Sequence, residues 1–221
     1  MADLDLTLDH ARALDATDPL TTCRERFVVA DPDLIYLDGN SLGRLPVATA
    51  ARLETVIRDE WGERLVRGWS EGWFEAPNRI GGKIARLVGA AADEVILADS
   101  TSVNLFKLSL AALLARPGRH TIITDDLNFP SDLYVLESAA RLAGRDIQVH
   151  VVPSADGIHG PVEGILAAID GDTALVALSH TVFKSGYTYD MAALTEAAHR
   201  AGALALWDLS HAAGSVLVDL N

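Results

Sequence analysis

Asp208 closes the apolar run ALALW, and His211 follows it three residues later in the tract WDLSH. An apolar run of this length ending in a carboxylate reads as a buried strand whose end faces a crevice, because open parallel sheets bind ligands outside the carboxyl ends of their strands. Asp208 is thus a candidate to hold a cationic ring nitrogen, since an adjacent carboxylate favours the protonated form. Three earlier tracts have a similar form. ADSTSVNLFKL places Ser100, Thr101 and Ser102 where a strand gives way to an amphipathic helix, so that hydroxyls and unpaired backbone N–H groups converge on an anion site. Taken alone, ordinary N-capping is the commoner explanation of those hydroxyls. DDLNFPSDLYVL brings Asn128, Phe129, Ser131 and Asp132 to a second strand end, an aromatic face beside a carboxylate, although Pro-Ser-Asp by itself is a helix start. LSHTVFKSG adds Ser179, His180 and Thr181 at a third. Four successive strand ends so equipped exceed what capping explains.

Other chemistries lack their geometry. No G-x-G-x-x-G follows a strand, and G-x-x-x-x-G-K-[ST], H-E-x-x-H and G-x-S-x-G are absent, which removes the dinucleotide, P-loop, zincin and serine-hydrolase readings. Asp208 with His211 offers two metal ligands, but no convincing set completes them, so no metal site is expected. A net charge of −13 argues against a nucleic-acid partner, which would demand clustered Lys and Arg. One cysteine, Cys23, excludes an internal disulfide framework, and the acidic start MADLDLTLDHARALDATD is unlike a signal peptide. No apolar run reaches the roughly 20 residues that span a bilayer. These features together predict a cytoplasmic globular protein.

The elements that must position the candidate residues follow from periodicity. The acidic start reads as a helix, and Leu34 to Leu37 as a short strand-like piece before the loop DGNSLGRLP. Leu53, Val56, Ile57, Trp61 and Leu65 fall at helical spacing and predict one amphipathic helix from Val47 to about Val66. The loop RGWSEGWFEAP follows, then a helix over Asn78 to Val88. From Glu94 onward, strands EVILA, HTIIT, IQVHVV, TALVALS, ALALW and SVLVDL alternate with helices starting near Thr101, Pro130, Pro161 and Asp190. That alternation predicts an α/β fold, a mostly parallel sheet with helices on both faces. Residues 1–75 read as an N-terminal helical arm with substrate-side loops, and 76–221 as the sheet domain.

In order along the chain, YLDGNSLGRLP, GWSEGWF, STSVNLFKL, NFPSDLY, LSHTVFKSGYTYDM and WDLSHAAGS resemble kynureninase, a fold-type-I family dependent on pyridoxal phosphate (PLP). The resemblance runs from about Ile35 to the end. It implies that Thr101 and Ser102 hold the phosphate, that Phe129 stacks on the cofactor ring, and that Ser131, Asp132 and Ser179 line the pocket. Asp208 would pair with the pyridine nitrogen, with His211 beside it, making the ring a better electron sink. Asn40, Ser41 and Trp69, with Gly39 and Trp73, would serve the substrate side.

The reaction implied is hydrolysis of L-kynurenine, or 3-hydroxykynurenine, to anthranilate, or 3-hydroxyanthranilate, and L-alanine, by a homodimer with active sites at the subunit interface. Such chemistry needs a lysine as Schiff-base partner and proton shuttle. In the family that lysine follows the Asp-x-x-His strand in a Tyr-Lys pair, and the lysines here, Lys83, Lys107 and Lys184, all precede Asp208. The expectation is therefore an incomplete large domain, ending before its last strands, the lysine and the C-terminal small domain, and inactive alone. A cysteine desulfurase or a non-catalytic PLP-binding domain are the alternatives.

Overall fold

The computed structural model describes residues 7–221. Two compact units divide the chain, one running to Phe74 and the other spanning Glu75–Asn221.

In the first unit the acidic start is helical over Leu8–Thr17 (α1), capped by Thr7, whose side chain accepts from the His10 N–H; its first six residues lie outside the described residues. The Leu34 to Leu37 piece is not a strand. Backbone groups of a strand need a partner ladder, and this segment has none among the described residues. The single helix expected from Val47 divides into an α-helix, Val47–Thr55 (α2), a π-helical stretch, Val56–Arg64, and a 3₁₀ turn, Leu65–Trp69. Its apolar stripe is not buried either: Leu53, Ile57, Trp61 and Leu65 are all more than half exposed.

The second unit opens with Ala76–Ala85 (α3) and then builds a parallel sheet. Its helices are Thr101–Ala115 (α4), Pro130–Leu142 (α5), Val162–Ala168 (α6) and Met191–Arg200 (α7), and its strands Thr121–Asp125 (β1), Gln148–Val152 (β2), Thr173–Ser179 (β3) and Leu204–Asp208 (β4). The strand order is β2-β1-β3-β4, every pair parallel. Alternate residues of each strand feed opposite faces, as the two-residue period requires. On one face Ile122, Leu175, Ala177, Leu204 and Leu206 pack with Leu113 of α4 and Leu136 of α5. On the other, Ile123, Val176, Leu178 and Trp207 pack with Ile165 of α6 and Leu194 of α7. β3, buried at all seven residues, is the spine.

Two expected strands are absent. EVILA and SVLVDL make no ladder; the second contributes only an isolated bridge, Ala213 to Val216. Their β-branched and leucine content suits a strand, but that preference is realised only against a neighbouring strand, and Ile96 and Leu217 stand 64% and 96% exposed. They fold back instead as irregular chain, with the Leu220 N–H donating to Val88 C=O.

Candidate active site

The strand order reverses direction between β1 and β3, because β1 leads outward to β2 while β3 leads the other way to β4. Such a switch point opens a crevice at the carboxyl ends of the strands, and Asn128 after β1 and Ser179 at the end of β3 flank it. Ser179 and Asp208 end β3 and β4 and are register partners. By alternation both share the face of Ala177 and Leu206, the one covered by α4 and α5.

The β1–α5 loop is fixed by buried polar groups. Asp125 accepts from the N–H groups of Leu127 and Asn128, both at 2.9 Å, and from the Tyr189 hydroxyl. Burial pushes the Asp125 carboxyl up from its ordinary range, opposed by those three donors. The Tyr189 phenol is raised too, by burial and the adjacent carboxylate. Asn128, buried, bridges two strands: its amide donates to Thr124 Oγ1 at 2.6 Å and Ala177 C=O at 3.2 Å, and its carbonyl accepts from the Ser179 N–H at 2.6 Å. Pro130 then starts α5, and Phe129 and Asp132 flank that turn. Sequence reasoning gave Asn128 no particular task and missed Asp125 and Tyr189. A doubled aspartate at a strand end, followed by Asn, was the available signal for the first two; nothing local marks Tyr189, 64 residues from its partner.

Asp132 is buried, and its carboxyl is pushed up to about 6 by burial first and then by the charge of Asp208, with the Ser131 hydroxyl opposing weakly. The two carboxylates therefore sense one another across the crevice. Asp208 is held in an Asx turn by the N–H and hydroxyl of Ser210, at 2.8 and 2.6 Å, and its C=O accepts from the His180 N–H. Phe129, 43% exposed, meets Phe183 edge-on with ring centroids 5.0 Å apart, and His211 lies 6.2 Å beyond Phe183. His180 faces the opposite side of the sheet, edge-on to Trp207 at 6.0 Å; its Nδ1 is buried without a partner and burial lowers its basicity.

α4 packs on β3 and β4. Ser100 caps it, its hydroxyl accepting from the Val103 N–H at 3.4 Å, and Thr101 and Ser102 form its exposed first turn, where N–H groups have no intrahelical acceptor. Asp99 before the cap holds a left-handed φ of 39° and pairs with Lys107. In the first unit, Asn40 and Ser41 lie exposed in the turn after Gly39, Ser41 donating to Asp38 at 2.8 Å, and Trp69 is 57% exposed.

Two neighbouring carboxylates, one of them raised, make a site short of positive charge, which a protonated ring nitrogen would supply. An exposed aromatic face and a free helix N-terminus on the same unit suit a flat ring bearing an anion. The donor set thus fits a pyridinium phosphate. Among the described residues no cluster of metal-ligating side chains occurs.

A parallel sheet with this switch point, equipped with an Asp-x-x-His at a strand end, defines the class. The chain belongs to the aminotransferase class-V family, which matches residues 35–221. Within that class it is 45% identical over 220 residues to a kynureninase of Pseudomonas fluorescens and 43% identical over 221 residues to one of Burkholderia mallei. Both matches take in 97% of this chain and 51% of the relative, so the chain spans about half the length of the curated relatives it matches. Two solved structures share the fold. A C-DES mutant with glycine covalently linked to its PLP cofactor superposes with a TM-score of 0.67 at 17% identity, over 85% of this chain and 50% of that one. A NifS-like protein gives 0.69 at 16%, over 84% and 51%. The architecture is that of a fold-type-I large domain.

Proposed function

We propose that the protein to which these residues belong is a kynureninase, hydrolysing L-kynurenine or 3-hydroxykynurenine to anthranilate or 3-hydroxyanthranilate and L-alanine in tryptophan catabolism and NAD biosynthesis, as a cytoplasmic homodimer. The observation that carries this reading is the identity of 43–45% to kynureninases across 97% of the chain. Residues 1–75 act as the arm that bears the substrate-side groups Asn40, Ser41 and Trp69, and 76–221 as the cofactor-binding part.

PLP, when bound, supplies an electron sink for charge developed at the substrate α-carbon. Asp208 keeps the pyridine nitrogen protonated, and Asp132, once ionised, adds to that field. Phe129 would stack on the cofactor ring, its own ring continuing through Phe183 to His211 in a row. Thr101 and Ser102 hold the phosphate with their hydroxyls and the first-turn N–H groups of α4. Ser131 and Ser179 line the same pocket. None of Lys83, Lys107 and Lys184 is assigned the covalent role: Lys107 is paired with Asp99, and Lys184 is an exposed cation over the Phe183 ring at 5.4 Å.

The test is an assay of the whole protein with PLP, following anthranilate by fluorescence. Turnover supports the reading; its absence, with PLP bound, removes it. Cysteine desulfuration on the same fold is the alternative, and formation of alanine from cysteine, with the persulfide sulfur released as sulfide by an added thiol, without kynurenine turnover would establish that instead.

A further inference from the structure

We propose that Trp73 is a positioning residue, locked by Glu60 and Arg52, that holds Trp69 as a rigid aromatic wall for the aryl group of the substrate. This rests on the kynureninase reading, in which Trp69 serves the substrate side. The two tryptophans of GWSEGWF have different surroundings. Trp69 is 57% exposed, whereas Trp73 is half-buried and bonded. Its indole N–H donates to Glu60 Oε2 at 2.8 Å, and Glu60 Oε1 pairs with the Arg52 guanidinium at 2.6 Å. The Trp73 ring also lies against Gly68, where an added Cβ would stand 3.1 Å from the indole carbons. Trp69 then meets Trp73 edge-on, with centroids 6.1 Å apart and planes at 79°, a favoured aromatic geometry.

The loop between them is closed from several sides. The Trp73 N–H donates to Gly68 C=O at 3.1 Å and the Phe74 N–H to Trp69 C=O at 3.2 Å. The Arg64 guanidinium grips both oxygens of Glu71. The π-helical stretch has a part in this. Counting roughly 100° per α-helical residue from Arg52 to Thr55 and about 82° per π-helical residue on to Glu60, the two side chains return to one face. A continuous α-helix would set them about 80° apart. The unusual winding therefore puts Glu60 where it can take both the guanidinium and the indole. An exposed indole on so constrained a frame has little rotamer freedom left to lose on binding a flat ring, which makes it suited to recognition.

The experiment uses the whole protein with PLP and the variants W73F, E60A, E60Q and W69A. E60A removes the acceptor without altering either indole, and E60Q retains an acceptor oxygen. W73F and E60A are expected to raise KM for L-kynurenine about five- to tenfold with kcat within about twofold of the parent and PLP affinity unchanged, and E60Q to recover most of the loss. The far-ultraviolet circular dichroism couplet of the indole pair should weaken in E60A while the thermal midpoint stays near that of the parent. Unchanged KM in E60A, alongside a raised KM in W69A, overturns the inference. If the parent turns over no kynurenine, it is the functional reading that fails. The couplet then still decides the positioning: its persistence in E60A overturns it, and its loss upholds it.

Discussion

At the scale of single residues, the crevice is governed by carboxylates whose charge is costly. Asp132 has a folded-state value of about 6 against an ordinary 3.8, so the folded chain favours its neutral form. The Asp132 contribution to folding stability is then highest below the ordinary value, falls as pH rises from about 4 to about 6, and stays lower above. D132N should accordingly match the parent below pH 4 and exceed its stability at pH 8 by on the order of 1–3 kcal/mol, read from urea unfolding at the two pH values; coincident differences at both would remove the cost of ionising the buried Asp132 carboxyl as the cause. On the proposed function a cationic ring nitrogen beside Asp208 would reverse this preference, so PLP affinity for the whole protein should rise between pH 5 and pH 7 and be accompanied by proton release, measurable by calorimetry in two buffers. Asn128 is the other residue with a clear cost. N128A leaves the buried Ser179 N–H without its acceptor and should lower stability by about 1–3 kcal/mol, read from urea unfolding.

At the scale of elements, the site depends on where helices begin. Ser100 caps α4 and so fixes the first turn that carries Thr101 and Ser102. S100A should cost about 1 kcal/mol and weaken PLP binding in the whole protein, whereas S100D should retain the stability but repel the phosphate, a split that unfolding and PLP titration together would show. α3 makes a closer approach elsewhere: a Cβ on Gly81 would fall 1.9 Å from the Val95 carbonyl oxygen. G81A must push the helix and the segment before α4 apart, and should lower the unfolding midpoint by the equivalent of about 1–3 kcal/mol. The helices starting at Thr101, Pro130 and Met191 were legible because cap and proline chemistry is local, and β1 to β4 because apolar runs bounded by turns are local too. The π-helical stretch was not legible, since its winding is bound up with Glu60 bonds to Arg52 and Trp73, outside its own nine residues.

At the scale of the molecule, much apolar surface stays in water. Ile35, Leu37 and Leu217 are 83%, 91% and 96% exposed, and β4 pairs on one edge only among the described residues. Exposed apolar side chains and an unpaired strand edge each favour association. The 221-residue chain by itself is expected to self-associate in analytical ultracentrifugation at micromolar concentration and to bind a hydrophobic dye; a dilute, dye-silent monomer would contradict this. Among the described residues no helix is long and apolar enough to cross a membrane.

The α/β alternation, four of the six expected strands, the caps that start the helices and the kinds of residue at each strand end are legible along the chain, because all of these are written in runs of adjacent side chains. Tertiary packing settled which strand ends meet. It set the order β2-β1-β3-β4 that opens the crevice, brought Asp132 within the field of Asp208, tied Asn128 to Ser179, and set Tyr189 on Asp125. It also left EVILA and SVLVDL without ladders. The reason is the same in each case: a strand, a buried carboxylate and a hydrogen-bonded amide are each defined by a partner far along the chain, and local spacing carries no record of it.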